Sequence, residues 1–453
     1  MLGLGDTGLS MARWLVGRGA RVSVADTRAA PPHARTLAAE QPGVAIAAGP
    51  FESASFAGVD AIAISPGIDP RQPLIAASLK RGVPIVGDME LFAQGLPGIA
   101  ASRGKTRPQV IAITGSNGKS TVTAMAGEAC AAAGRETFVA GNIGVPVLDA
   151  LAGIESGAAL PDVFVLELSS FQLETTASLA PDGASVLNVT EDHLDRYDSL
   201  AEYAAAKARI FEGARAQVVN RDDPWSLRLA RDAEAARFGL DAPKDERDWG
   251  IVGGSLAHGG ETLMPLAELP VAGLHNAANA LAALALGRAI GLATGPMLEG
   301  LRRFRGLPHR LERVEEIGGV AFFDDSKGTN VGATVAALNG MTARVVLIAG
   351  GEGKGQDFSP LAAAVSARAS AVVLIGRDAD AIARVLAPCG VSCLRAGTMA
   401  EAVEAAYRAA RPGEAVLLSP ACASYDMFRS YVHRGEVFVE AVRALAAREG
   451  GTR

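Results

Sequence analysis

The segment Thr114-Gly115-Ser116-Asn117-Gly118-Lys119-Ser120-Thr121 constrains this chain more than any other. It follows the apolar run Gln109 to Thr114, a predicted strand, and opens a predicted helix. In that context a glycine-rich loop wraps a phosphate. Its backbone N–H groups close around the oxygens, and the helix N-terminus adds a partial positive charge. Gly115, Ser116, Asn117, Gly118, Lys119, Ser120 and Thr121 are therefore the candidate nucleotide contacts. Lys119 would reach the terminal phosphates and Ser120 could ligate Mg²⁺. The full phosphate-loop pattern wants glycine at position 113, where this chain has Ile113, so the loop is shorter. An ordinary glycine turn is the alternative.

Around this loop the 453 residues suggest roughly three domains. Helix-like and strand-like runs alternate through each block, so the fold class is α/β, with parallel sheets covered by helices. Residues 1–97 form a first, Rossmann-like block and 98–108, rich in Gly, Pro, Ser and basic residues, a linker. Residues 109–305 form a central block like a P-loop ATPase, and 306–453 a C-terminal Rossmann-like block. Short antiparallel strands are expected between Asp241 and Pro270, and a helix pair from Asn276 to Arg303. A net charge of −6 and the lack of a basic stripe disfavour nucleic acid. The start carries no basic-then-apolar leader, and the longest apolar helical stretch, Ala277 to Ala293, is interrupted by Arg288. Membrane insertion is not expected. Cys130, Cys389, Cys393 and Cys422 lack metal-site spacing and read as reduced thiols, so a cytoplasmic location is expected.

Lysine usage adds a clue. Only Lys80, Lys105, Lys119, Lys207, Lys244, Lys327 and Lys354 occur among 43 basic residues. Where a bare positive charge suffices the chain uses arginine, so the remaining lysines are candidates for sites needing an amine or a compact ammonium. Chance is the competing explanation.

Several single residues then gain meaning. Glu167 ends a predicted strand downstream of the loop, a place suited to a Mg²⁺ ligand, although such carboxylates often merely cap or face solvent. Asn276, in His275-Asn276-Ala277-Ala278-Asn279, can be read as a plain helix N-cap. Gly3-Leu4-Gly5-Asp6-Thr7-Gly8 fits GxGxxG, with Asp26 following at the spacing of a dinucleotide fold. Read alone, this points to NAD.

Thr-Gly-Ser-Asn-Gly-Lys-Ser-Thr resembles the phosphate loop of the Mur ligases and of their relative folylpolyglutamate synthase, and further motifs continue the resemblance in order over nearly the whole chain. The family activates a carboxylate as an acyl phosphate, which an amine then attacks. The resemblance implies ATP and Mg²⁺, with two metal sites served by Ser120, Glu167, His193 and Lys207. His193, in Thr190-Glu191-Asp192-His193, would stand at the second metal, a role that a lone histidine would not otherwise be given. Lys207, in Ala206-Lys207-Ala208-Arg209, matches the family's carbamylated lysine, against the plain alternative of a solvated helix lysine. Asn276 would meet adenine, and Arg310, in Pro308-His309-Arg310-Leu311, would reach the γ-phosphate. Lys119, Lys207, His193 and Arg310 are the catalytic set so implied.

Asp324-Asp325-Ser326-Lys327-Gly328-Thr329-Asn330 is similar to the D-glutamate-adding branch, with Gly328 replacing the usual alanine. Asp325 would contact ATP. Lys327, Thr329, Lys354 and Ser424 would bind D-glutamate, and Tyr431 would supply the wall usually made by Phe. The same branch would place the nucleotide of UDP-N-acetylmuramoyl-L-alanine on the first block, at Thr7, Asp26, Thr27, Arg28, Ser65 and Gly67, with Asn142. Only Met1 and Leu2 precede Gly3, where a dinucleotide fold needs a central strand, so a start assigned too far downstream is expected. A monomer is expected. A sibling ligase, a folate polyglutamylase, an NAD-dependent oxidoreductase and a catalytically silent binding protein remain as alternatives.

Overall fold

A computed structural model describes residues 1–271 and 273–450; Ala272 and the last three residues of the C-terminal block lie outside it. Three α/β lobes follow one another. In the first, parallel pairs form between Ser23–Asp26 and Ala45–Ala48 and between Ile62–Ala63 and Ile85–Val86. Leu2 lies between the pairs, bridging Ala25 on one side and Ile64 on the other. Its N–H donates to Ala63 O (2.8 Å) and its carbonyl accepts from Ser65 N (2.9 Å). Met1 to Gly3 therefore occupy the central strand position of this lobe.

The central lobe is a nine-stranded sheet. Its core is Gln109–Thr114, flanked in parallel by Val163–Glu167 and Gly183–Val186. The far edge is the antiparallel run Asp248–Val252, Ser255–His258 and Glu261–Pro265, in the region where short strands are expected. Buried Val/Ile/Leu runs explain the middle strands, since a parallel sheet with helices on both faces leaves neither face wet. The helices Lys119–Ala132, Leu274–Ala289 and Thr294–Arg303 cover one face. The third lobe has six strands in the order Glu312–Ile317, Val320–Asp324, Ala415–Leu418, Val345–Gly350, Ala369–Ile375 and Ser392–Arg395, parallel except for the first.

The stretch expected as a linker differs. Asp88–Ser102 is one helix, so only residues 103–108 of it lack regular structure before the next strand. Pro97 lies inside this helix and removes one backbone donor. Packing outweighs that loss: Leu96, Ile99 and Ala100 are buried in the cluster that also holds Trp14 and Leu151. Gly95 is required there, because a Cβ would lie 2.7 Å from the Trp14 ring.

Candidate active site

The strand Gln109–Thr114 delivers the glycine loop to the C-terminal edge of the central sheet, where open α/β sheets bind ligands. Gly118 caps the helix Lys119–Ala132 at φ +82, and a Cβ there would lie 2.8 Å from Asn279 Oδ1, so glycine is needed on both counts. The next strand end pins the loop. Asn117 N donates to Asn188 Oδ1 (2.8 Å), and Ser116 Oγ donates to Thr190 O (2.9 Å). Beside Gly118 and Thr121 opens a cavity of about 220 Å³, lined by Asn276, Asn279, Phe304, Arg310 and Asp325 among others. Burial lifts the Asp325 carboxyl to about 7, against a hydrogen bond of 2.7 Å from Ser419 Oγ.

A second cavity, of about 410 Å³, lies on the other side of the loop. Lys119, Lys207, Lys327 and Lys354 all line it, so four of the seven lysines share one space. Lys207 is 1% exposed, on the helix Leu200–Ala208. Its Nζ donates to Gly115 O (2.9 Å), the carbonyl that also accepts from Lys119 Nζ (2.8 Å). Desolvation, and then the Lys119 charge, hold the Lys207 amine well below its usual range. Burial also lowers Lys119, and it brings Lys327 down to about 8.

Glu167 ends its strand in the same cavity, 2% exposed. Oε1 accepts from Asn142 Nδ2 (2.8 Å), while Oε2 is buried with no hydrogen-bond partner among the described residues. An anionic oxygen so placed fits a hard cation. His193 and Asp192 line the same space, and desolvation first, then nearby lysines, lower the imidazole against the charge of Asp192, which favours the neutral form that can coordinate. Ser120 stands opposite, on the helix start. This set fits Mg²⁺ with one reservation of charge: an ammonium on Lys207 would repel it.

The third lobe closes over both cavities. Arg310 Nη2 donates to Ser120 Oγ (2.7 Å), across 190 positions of sequence. Asn330 caps the helix Val331–Gly340 through Ala333 N (2.8 Å) and turns its amide to Asn117 Oδ1 (3.1 Å) and Asp192 Oδ2 (3.3 Å). Gly332 lets this helix approach, since a Cβ would lie 2.9 Å from Thr190 Oγ1 and 3.2 Å from Asn117 Nδ2. Lys327 Nζ sits 3.9 Å above the Tyr431 ring, and Thr329, Lys354 and Ser424 line the same cavity. Among described non-glycine residues with positive φ, His193, His309, Leu311, Lys354 and Ala421 all belong to these loops. Strain of that kind persists where surrounding structure over-determines it.

The residues expected at the UDP end do not join this cluster, apart from Asn142, which is tied to Glu167. They gather at the strand ends of the first lobe. Asp26 accepts from Leu4 N (2.7 Å) and from the Arg28 guanidinium (2.5 and 2.8 Å), which holds its carboxyl near 2. Thr27 and Arg28 are exposed. Ser65 abuts Gly3, whose absent Cβ would otherwise lie 2.9 Å from Ser65 Cβ, so the two loops share one edge. Sequence reasoning gave no role to Asp192, to Asn330 or to Tyr203, whose hydroxyl lies 3.4 Å from Ser116 Oγ of the glycine loop. Asn330 had a signal, as the last residue of the Asp324–Asn330 motif.

Family profiles cover the chain in three consecutive stretches: a Mur ligase MurD-like N-terminal domain at 1–87, a Mur ligase middle domain at 113–287, and a Mur ligase glutamate ligase domain at 309–422. The chain is 59% identical over 455 residues to the UDP-N-acetylmuramoylalanine–D-glutamate ligase of Thiobacillus denitrificans, covering 99% of this chain and 96% of that one. This chain belongs to the Mur ligase family. The protein of the same description from Methylobacillus flagellatus is 55% identical, over 99% and 97% of the two chains. Among solved Mur ligase structures, UDP-N-acetylmuramate-alanine ligase from Thermotoga maritima superposes with a TM-score of 0.60 at 20% identity, covering 98% of each chain. A Mycobacterium tuberculosis folylpolyglutamate synthase gives 0.56 at 19%, over 79% and 94%. At these identities the likeness speaks for the fold alone, over nearly the whole chain for the first and over 79% of it for the second. The third profile ends before Ser424 and Tyr431.

Proposed function

We propose that this Mur ligase is the ATP-dependent enzyme that adds D-glutamate to UDP-N-acetylmuramoyl-L-alanine in peptidoglycan precursor synthesis. One observation carries the reading: Lys119, Glu167 and Lys207 of the central lobe and Arg310, Lys327 and Lys354 of the third line one continuous space beside the glycine loop. That arrangement suits a γ-phosphate, a carboxylate and an incoming amine brought to one place.

The chain's own groups divide the work as follows. Loop N–H groups, the helix start and Lys119 hold the phosphates, and Asn276 and Asp325 face the adenine-sized cavity. The L-alanyl carboxylate attacks the γ-phosphorus, forming an acyl phosphate and releasing ADP. Lys119 and Arg310 balance the charge that gathers on the transferring oxygens. The amine of D-glutamate, its carboxylates anchored by Lys354, Ser424, Lys327 and Thr329 against Tyr431, then attacks the acyl carbon, and inorganic phosphate leaves. Thr7, Asp26, Thr27, Arg28, Ser65 and Gly67 would hold the UDP end, with Asn142 nearer the sugar. When bound, Mg²⁺ would neutralise phosphate charge beside Ser120 and Glu167, with His193 at a second such site. Lys207 would join these ligands once its neutral amine has captured CO₂ as a carbamate, which converts a repelling group into an anionic oxygen ligand.

All the implicated groups lie in one chain, which supports a monomer. Four unpaired cysteines and a nucleotide-linked substrate support a cytoplasmic location; no described helix is long and apolar enough to cross a membrane.

Phosphate release should require UDP-N-acetylmuramoyl-L-alanine, ATP, Mg²⁺ and D-glutamate together, with L-glutamate giving background only. Equal rates with both enantiomers, or none with either, would remove this reading. Glu167→Gln keeps the shape and removes the charge, so the Mg²⁺ concentration for half-maximal turnover should rise about 10–100-fold. A metal titration unchanged from wild type would take Glu167 out of the metal set.

A further inference from the structure

We propose that Arg196 is a positioning residue that locks the acceptor loop of the first lobe, residues 65–67, to the metal-facing turn at His193. The inference rests on the functional reading above for what those two segments do. Its geometry is independent of that reading.

Arg196 is 9% exposed and divides its guanidinium among three partners on two segments, residues 171–174 and Pro66. Nη2 pairs with Glu174 Oε2 (2.5 Å), Nη1 donates to Pro66 O (3.2 Å), and the plane lies over the Phe171 ring with Cζ 4.3 Å from its centroid. Glu174 is satisfied on its other oxygen by Tyr197 OH (2.6 Å). The pair is thus a completed network, which is what a buried charge needs in order not to destabilise the fold.

Both ends of the link matter to the site. His193 has a left-handed backbone, φ +55, and the turn is closed by Arg196 N and Tyr197 N, which both donate to His193 O (2.9 and 3.1 Å). Its ring packs against Phe171, centroids 4.8 Å apart, so the ring beneath Arg196 is also the ring that seats the imidazole. At the other end Pro66 lies between Ser65 and Gly67. A second contact crosses the same seam: Arg71, paired with Asp69, reaches Asp198 at 3.4 Å. Arg196 therefore joins an acceptor loop and a metal-side turn that belong to different lobes. A lysine could pair with Glu174, but it has no planar fork to reach Pro66 O and cover Phe171 at the same time.

The test compares wild type, Arg196→Lys and Glu174→Gln by separate KM values for the three substrates, by the Mg²⁺ titration, and by metal-free calorimetry with UDP-N-acetylmuramoyl-L-alanine. Loss of register should raise the acceptor KM and Kd about tenfold or more in Arg196→Lys, with ATP KM within about twofold. The half-saturating Mg²⁺ should rise as well. Glu174→Gln, which leaves the fork in place, should show the same pattern at smaller size, and it decides the matter if Arg196→Lys does not fold. A purely structural role would lower thermal stability and scale kcat with the folded fraction, leaving every KM and the acceptor Kd alone; that result overturns the proposal. Wild-type protein without D-glutamate-dependent phosphate release would instead overturn the functional reading, and this inference with it.

Discussion

Lys207→Arg is expected to leave the chain folded and to lower turnover by about 10³-fold or more, the scale seen when a preorganised charge at the reacting centre is lost. The two residues share charge and approximate length, so a lysine acting as a mere cation would tolerate the change. Lys207 is placed otherwise. It is nearly fully buried, it shares the Gly115 carbonyl with Lys119, and desolvation and Lys119 together favour its neutral form. A neutral amine can take up CO₂; a guanidinium cannot, because it stays protonated in proteins. The same logic predicts that Lys207→Ala regains activity with added acetate or chloride, small anions able to enter the space left behind. Circular dichroism would confirm folding, phosphate release would give the rate, and ¹³C-bicarbonate NMR would report the carbamate directly in wild type. An arginine variant with normal turnover would eliminate carbamate chemistry from the site.

Arg310→Ala should lower kcat by about 10³-fold, within the range for an arginine that stabilises a transferring phosphoryl group, while ATP affinity changes little. Arg310 comes from the third lobe and reaches the nucleotide loop by a hydrogen bond to Ser120, at 2.7 Å. Its charge is therefore delivered by closure, whereas Lys119 and the loop N–H groups are present in the central lobe itself. Burial lowers the guanidinium from its usual value, yet an arginine keeps its charge in proteins. Arg310→Lys should recover only part of the loss, since an ammonium offers no planar fork. Calorimetry with ATP and single-turnover phosphate release separate binding from chemistry. A kcat loss below about tenfold would place Arg310 outside the transfer step.

What the sequence disclosed, and what it concealed, follows from how local each signal is. The strand Gln109–Thr114 runs from the first to the last residue expected, because apolar runs bounded by turn residues report local structure well. The glycine loop was legible for the same reason. The helix Asp88–Ser102 was not: Gly95, Pro97 and Gly98 are poor helix formers, and what holds them is contact with Trp14 and the central lobe, which no local window contains. Asp192, Tyr203 and Asn330 escaped likewise, since each acquires its role from a partner on a distant segment. The left-handed backbones of His193, His309 and Lys354 had no compositional signature at all. Lysine scarcity, by contrast, pointed beyond local structure, and four of those side chains do converge.

Gly332 gives the docking of the lobes an unusual determinant. The depth to which the third lobe seats on the glycine loop is limited by a missing methyl group: a carbon added there would meet Thr190 and Asn117 before Arg310 could reach Ser120. The jaws of this enzyme are thus gauged by an empty volume. Bulk gained at Gly332 would prop them ajar, and the nucleotide would stay bound in a site unable to fire.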